Sequence, residues 1–389
     1  MIRLIAASLA LILLNLPAHA FDTKARAAYV YDLTTGTALL TKNADTPLPP
    51  ASMSKLMTLY MAFEAIERGK QNGGLDLVEE LPVSSHAMSY GGSTMFLDTT
   101  DRIKVEDLLR GIIVLSGNDA CAVIAEALSP DGTEYGFARL MTQRAHQLGM
   151  TNSTFANSNG WPQAGHLMSV RDLGLLAKHI ISDFPQYYPL FSERTFAFDG
   201  RAPKNVTNRN PLLALNIGAD GLKTGHTSEA GYGLVGSAKQ GDRRIVFVIS
   251  GLSSTTERAQ EAEAIVNWSF RQFSQKSLGK AGKKLADAPV SMGVSKTVGL
   301  ELRDDLSVLA PVSGGADLTG EVIYTGPFHA PIAKGDQLAE LVVQRDTLPE
   351  IRVPLVASEA VAPGGFLVKV TAAALHLLAR LNAGPQGAS

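Results

Sequence analysis

Gly231-Tyr232-Gly233-Leu234-Val235-Gly236-Ser237-Ala238-Lys239 and Arg243-Arg244-Ile245-Val246-Phe247-Val248-Ile249-Ser250-Gly251 are two β-rich runs joined by Gln240-Gly241-Asp242. Such runs either side of a short Gly-containing turn signal a hairpin. A second hairpin is signalled far upstream, over residues 27–41 around Thr34-Thr35-Gly36-Thr37. Between the two the chain reads as helical. Residues 53–70 repeat Leu56, Leu59, Tyr60, Phe63 and Ile66 at the spacing of one buried helix face. Two more helices, over 105–115 and 120–128, flank Ser116-Gly117-Asn118-Asp119, and 135–148 and 170–181 continue the pattern. Residues 256–273 return to helix after the late hairpin. Early and late strands enclosing helices predict an α/β unit over 21–275 whose two ends close one sheet.

Working outward, the chain has 389 residues, 45% of them hydrophobic and 19% charged. That composition supports a large core and excludes a disordered or collagen-like chain; at about 150 residues per domain it predicts two or three domains. The balance of 35 Lys and Arg against 37 Asp and Glu leaves no basic footprint, so nucleic acid is not an expected partner. Cys121 is the single cysteine and cannot form an internal disulfide. Arg3, the apolar run over 4–14 and Ala18-His19-Ala20 form an export leader, residues 1–20, with a mature start at Phe21. The run is shorter than the ~20 residues that span a bilayer. Short Val-rich stretches at 298–303, 320–324, 337–343 and 351–356, with Gly and Pro turns, predict a small all-β domain over 276–360. Gly364-Gly365 introduces a tail, 361–389.

Three short motifs carry candidate chemistry. Ser52-x-x-Lys55 puts a hydroxyl at a helix start and an amine one turn on, where the helix dipole favours developing negative charge. Taken alone it is equally an N-cap serine beside a solvated lysine, and Ser277-x-x-Lys280 matches the same pattern in what reads as a linker. Ser116-Gly117-Asn118 lies between helices, where it is also an ordinary turn. Lys223-Thr224-Gly225 precedes the strand from Gly231, where its lysine is otherwise a solvated strand-edge residue. The order of the three is the informative feature, because a helix-start Ser-x-x-Lys, an inter-helical Ser-x-Asn and a strand-associated Lys-Thr-Gly form the set found in penicillin-binding proteins and serine β-lactamases.

In these motifs, and in Gly92-Ser93-Thr94-Met95-Phe96, Asn208-Arg209-Asn210 and Asp220-Gly221-Leu222-Lys223-Thr224-Gly225-His226-Thr227, the sequence resembles the low-molecular-mass penicillin-binding proteins, specifically the exported D-alanyl-D-alanine carboxypeptidases. The resemblance runs from the leader to the tail. It implies an antiparallel sheet with a helical region, of the serine β-lactamase/transpeptidase type, followed by the small β domain and a C-terminal amphipathic helix. It makes Ser52 the nucleophile and Lys55 its base, and has Ser116 and Asn118 relay a proton and hold the substrate amide. Lys223, Thr224 and Arg209 would take the terminal carboxylate, with Gly225 and His226 completing the substrate strand. The backbone N–H groups of Ser52 and His226 would form the oxyanion hole. A basic lysine must be neutral to accept a proton, so the pKa of Lys55 must fall well below about 10.4, through burial and the like charge of Lys223. The implied partners are peptidoglycan stem peptides ending in D-Ala-D-Ala, β-lactams as covalent inhibitors, and a membrane surface. No cofactor is implied, and the eight histidines include no pair with metal-ligand spacing.

Competing activities share this chemistry. A class A β-lactamase deacylates through an additional glutamate, but none of Glu126, Glu134 and Glu193 is followed by asparagine four residues on. A sensor acylated once, a transpeptidase and an endopeptidase differ in turnover or acceptor. The tail, drawn as a helix over 366–381, puts Lys369, His376 and Arg380 on one face and Leu367, Ala374, Leu378 and Leu381 on the other. At ~1.5 Å per residue it reaches about 24 Å, short of a ~30 Å hydrocarbon core, so the expected place is the membrane surface, at the periplasmic face.

Overall fold

The late hairpin forms the centre of a sheet covered on both faces. In this computed structural model, which describes residues 21–201, 203–312, 318–345 and 348–366, the chain opens with β1 (Ala27–Asp32) and β2 (Thr37–Lys42). Then come α1 (Lys55–Arg68), β3 (Glu80–Pro82), α2 (Ser85–Met88), β4 (Arg102–Lys104), α3 (Val105–Arg110), α4 (Asn118–Leu128), α5 (Glu134–Gln147) and α6 (Val170–Asp183). Strands β5 (Ala219–Thr227), β6 (Gly231–Gln240) and β7 (Arg243–Leu252) precede α7 (Thr255–Gln272). The five long strands make one antiparallel sheet in the order β2-β1-β7-β6-β5. Early and late strands thus meet at β1 and β7, as the two hairpins predict.

Burial on both faces, with side chains alternating between them, explains why Ile245 to Ile249 of β7 form an unbroken apolar run. Val246 and Val248 join the core under the helical region, together with Tyr29, Leu56, Leu108 and Leu176, whereas Ile245, Phe247 and Ile249 pack with Ala262, Ile265 and Val266 of α7. The sheet is therefore a layer between two helical layers, with the larger core on the side that carries Ser52. At the β1–β7 end, Asp32 and Arg243 form a buried ion pair, with Nε 2.5 Å from Oδ2. Asp32 also accepts from Thr35 N and Oγ1 at 2.8 Å, and Arg243 Nη1 donates to the Phe273 carbonyl at 2.8 Å.

Phe273 begins the second unit directly after α7. Its strands are β8 (Phe273–Gly279), β9 (Lys284–Ser291), β10 (Thr297–Leu302), β11 (Leu306–Pro311), β12 (Thr319–Ile323), β13 (Phe328–His329), β14 (Gln337–Arg345) and β15 (Leu348–Ala357). A six-stranded sheet, β12-β14-β15-β10-β9-β13, and the pair β11-β8 enclose a core of Ala288, Val298, Leu300, Val308, Val343 and Leu355. This is the small all-β domain. Arg345 Nη1 reaches across to Thr37 Oγ1 at 3.1 Å, and Leu348 and Phe273 pack near Leu39 and Trp268, so the two units touch at the β2 edge.

Three sequence expectations need correction. Ser277-x-x-Lys280 is not in a linker: Ser277 lies in β8, and Lys280 pairs with Asp305 at 2.6 Å. Lys223-Thr224-Gly225 does precede the strand from Gly231, but it is itself part of the edge strand β5 and is buried through Gly225, so its lysine is not a solvated strand-edge residue. Ser52 occupies a 3-10 turn ahead of the α-helix, not its first α-helical turn. The leader 1–20 and the tail helix, apart from the exposed Phe366, lie outside the described residues.

Candidate active site

Pro47, Pro49 and Pro50 end regular structure and deliver the chain into the 3-10 turn Ala51–Ser54, from which Lys55 enters α1. Two glycines let neighbouring backbone close on this turn. A Cβ at Gly160, where φ is +81°, would lie 1.9 Å from the Ala51 carbonyl oxygen, and one at Gly225 of β5 would lie 3.0 Å from the Pro50 oxygen. Ser52 is thereby held between the 157–160 loop and the edge strand. Beside it opens a cavity of about 380 Å³ whose wall includes Pro50, Ala51, Gly160, Trp161 and Thr227.

Lys55 is fully buried, and its Nζ lies 2.9 Å from Ser52 Oγ, 2.7 Å from Asn118 Oδ1 and 2.5 Å from the Asn159 carbonyl oxygen. A charged ammonium has three N–H groups and would satisfy all three acceptors. The neutral amine has two N–H groups and a lone pair. Two of its neighbours, Asn118 Oδ1 and the Asn159 carbonyl, can only accept, so the lone pair is directed to the third, the Ser52 hydroxyl. Burial, helped by the Arg209 cation and opposed by the pull of Cys121, Asp119 and Glu134, lowers the Lys55 pKa to about 8. Arg209 is a like charge acting here that the sequence reading did not invoke, beside Lys223, whose own pKa is lowered by Lys55. Activity that needs neutral Lys55 should therefore rise as pH climbs through about 8, the sign set by loss of a proton from the base. A pH profile of penicillin acylation checks this, and a rate flat between pH 6 and 9 contradicts it.

Ser116 ends the helix that begins with α3: the chain tightens into a π-turn, Gly111–Leu115, and closes on Ser116 in the left-handed region at φ 62°. That conformation aims its hydroxyl at Lys223 Nζ, 2.9 Å away. Lys223, also fully buried, has its pKa pushed well below the usual lysine value by burial and by the Lys55 and Arg209 charges. Asn118 begins α4; its Nδ2 donates to the Gly91 carbonyl at 2.8 Å, which turns its Oδ1 towards Lys55. Arg209 Nη1 donates to Ser93 Oγ at 2.8 Å, and Nη2 to the Leu115 carbonyl at 3.1 Å and Asn205 Oδ1 at 2.9 Å. Thr224 is buried beside Lys223, and His226 emerges at the exposed end of β5 with its ring stacked on Tyr232 at 3.8 Å.

The structure thus links Ser52, Lys55 and Asn118 through one set of hydrogen bonds, and Ser116 and Lys223 through another two residues away. Arg209, Thr224, Gly225 and His226 lie along the same side. Sequence reading missed several contributors. Arg258 of α7, 7% exposed, donates to the Arg209 carbonyl at 3.3 Å and its Nε has no partner; on a helix otherwise polar outward it resembled a surface arginine. Asn159 acts through its backbone and leaves no side-chain signature. Asp119 accepts from Met95 N at 2.9 Å and Leu97 N at 3.2 Å, fixing the loop that carries Ser93. Cys121 is buried with its thiol raised to about 12, which marks a packing residue and not a nucleophile. The glutamates weighed as deacylation bases are engaged elsewhere: Glu126 with Ser84 at 2.8 Å, Glu134 with Ser158 and Glu193 with Arg110 at 2.9 Å.

A family profile described as D-alanyl-D-alanine carboxypeptidase matches residues 15–254, which include Ser52, Lys55, Ser116, Asn118, Arg209 and Lys223. The chain belongs to that family. A second profile, the C-terminal domain of penicillin-binding protein 5, matches residues 273–363. The family assignment extends over most of the length, since the chain is 35% identical to the D-alanyl-D-alanine carboxypeptidase DacC of Escherichia coli, covering 89% of this chain and 86% of that one. Among solved structures it is similar to penicillin-binding protein 5 from Haemophilus influenzae, with a TM-score of 0.76, 30% identity, and coverage of 88% of this chain and 98% of that chain. It also resembles penicillin-binding protein D2 from Listeria monocytogenes in its ampicillin-bound form, with a TM-score of 0.56, 31% identity, and coverage of 64% and 98%. The family's α/β catalytic fold and C-terminal β domain are both present here.

Proposed function

We propose that this protein is a serine-type D-alanyl-D-alanine carboxypeptidase that removes the terminal D-alanine from peptidoglycan stem peptides through an acyl-enzyme on Ser52. The observation that carries the reading is the buried Lys55 amine, 2.9 Å from the Ser52 hydroxyl, where burial lowers its pKa to about 8. Ser52 Oγ attacks the carbonyl of the penultimate D-alanine and gives its proton to neutral Lys55. The oxyanion develops at the backbone N–H groups of Ser52 and His226. Collapse breaks the peptide bond, and the proton held by Lys55 passes through Ser116, whose hydroxyl is held by Lys223, to the leaving nitrogen of D-alanine, which returns Lys55 to the neutral amine. Lys223, Thr224 and Arg209 hold the substrate's terminal carboxylate through charge-assisted hydrogen bonds, which end when D-alanine departs. Water then adds to the ester as Lys55 takes its proton, and Lys55 returns that proton to Ser52 Oγ as the ester bond breaks and the shortened peptide is released.

A β-lactam presents a strained amide to the same hydroxyl and would form the corresponding ester. Mass spectrometry after exposure to penicillin tests the nucleophile: the adduct is expected on the peptide containing Ser52, and an adduct elsewhere contradicts the assignment.

We further assign residues 1–20 to a leader, 21–275 to the catalytic domain, 276–360 to the β domain and 361–389 to a membrane-surface tail, which places the enzyme outside the cytoplasm on the periplasmic face of the inner membrane. No helix among the described residues is long and apolar enough to cross a membrane. Deleting residues 365–389 should leave peptide hydrolysis unchanged and move the enzyme from the membrane to the soluble fraction. Unchanged fractionation would overturn the anchor.

A further inference from the structure

Glu134 is a buried carboxylate that takes no part in the reaction as written, yet it bonds to Asn159, one of the two groups that orient Lys55, and to Tyr90, the neighbour of the residue that holds the other, Asn118. Its Oε1 accepts from Ser158 N at 2.9 Å, from Ser158 Oγ at 2.5 Å and from Asn159 Nδ2 at 3.4 Å. Its Oε2 accepts from Tyr90 Oη at 2.6 Å and pairs with His86 Nε2 at 2.7 Å. Asn159, held by the first oxygen, presents its carbonyl to Lys55 Nζ, while the adjoining Ser158 carbonyl accepts from Thr58 Oγ1 at 2.6 Å. Tyr90, held by the second, precedes Gly91, whose carbonyl accepts from Asn118 Nδ2 and so turns Asn118 Oδ1 towards Lys55.

We propose that Glu134 is a positioning residue for the reaction: its two oxygens clamp the 157–160 loop, which supplies one acceptor to Lys55, and the Tyr90–Gly91 segment, which turns the other, Asn118 Oδ1, so that the Lys55 lone pair is directed at Ser52. The inference rests on the reading of Lys55 as the base. A neutral lysine has no intrinsic preference for which neighbour meets its lone pair, so the direction must come from acceptors fixed in place. A single charged carboxylate, accepting bonds from two separate segments, fixes both at once. Its charge acts as well as its geometry. The groups around Lys55 are the cations Arg209 and Lys223, the acids Asp119 and Glu134, and the thiol of Cys121; His166 is held neutral by burial, with its pKa lowered to about 4. Around Glu134 itself stand His86, Tyr90 and Glu126.

The two roles separate experimentally. Glu134→Gln keeps the shape and an acceptor for Ser158 but removes the negative charge that favours the ammonium. The acid limb of the penicillin acylation rate should then move to lower pH, while the maximal rate stays within a fewfold of wild type. Tyr90→Phe releases only the Oε2 arm, frees Gly91 and should lower maximal acylation by about tenfold through misorientation, with little change in thermal midpoint. Glu134→Ala should lower it further, and Glu134→Gln, in restoring most of that loss, serves as the conservative rescue. A Glu134→Gln profile superimposable on wild type, together with undiminished acylation by Tyr90→Phe, would overturn the proposal. Lys55→Ala is measured alongside. If that variant acylates normally, the reading of Lys55 fails first; if it is inert while the Glu134 and Tyr90 variants behave as wild type, only the positioning role falls.

Discussion

Ser52→Ala should abolish both D-alanine release and acylation by penicillin, a loss of roughly 10⁴-fold or more, while the thermal midpoint stays close to that of the parent. The side chain sits in a turn fixed by the close backbone approach of Gly160 and Gly225, so removing its oxygen leaves the packing intact. Lys55→Ala should cost about as much, and the double variant little more than either, because nucleophile and base work as one unit whose effects do not add. Lys55 differs from Ser52 in one respect. It is a large, fully buried side chain, so its truncation leaves a cavity and two unpartnered carbonyl acceptors, and a measurable loss of stability accompanies the loss of rate. Ser277→Ala and Lys280→Ala, at the other Ser-x-x-Lys, should leave the rate untouched. Release rates and melting curves on the five variants and the parent decide the matter, and a Ser52→Ala variant that still turned over would remove the nucleophile from the account.

The largest effect on stability is expected at the opposite end of the sheet. Asp32→Ala strands the Arg243 guanidinium, 8% exposed, between β1, β7 and the start of the β domain. Breaking a buried pair from one side typically costs about 3 to 5 kcal/mol, mostly the penalty of an uncompensated charge. Thr35 loses its turn acceptor in the same step. Asp32→Asn retains an acceptor and should fall between the two. Denaturant unfolding of the three proteins measures the difference. A loss below about 1 kcal/mol for Asp32→Ala would show that Arg243 finds solvent or another partner, in the range of an exposed pair.

Much of this molecule was legible before its structure. The β-rich run over 243–251 and the turn at Gly241 set the central hairpin, because Ile245 to Ile249, buried on two faces, form an unbroken apolar stretch. Helices with a single apolar face, such as α1 and α6, were found within a few residues of their ends. Strands β3, β4 and β13, of three, three and two residues, carry too few side chains for any period to register. Strands β8 and β9 were missed for another reason: most of their residues are exposed or half-buried, so no apolar stripe announces them. The reacting side chains were visible because their chemistry fixes both residue type and spacing. Their supports were not. The Asn159 carbonyl, the Gly91 carbonyl and the Arg258 hydrogen bond to the Arg209 backbone depend on where main chain lies in space, and any residue type supplies a carbonyl. Glu134 was visible only as a glutamate in the wrong place for a β-lactamase; its task emerges once Ser158 and Tyr90 are seen to converge on it.

The most direct measurement is release of free D-alanine by the mature protein from a peptide ending in D-Ala-D-Ala. The account predicts steady release over many turnovers, one D-alanine per peptide cleaved, which stops when penicillin has esterified Ser52. A single burst equal to the amount of protein, with no further release, would contradict it and leave a binding protein that is acylated once.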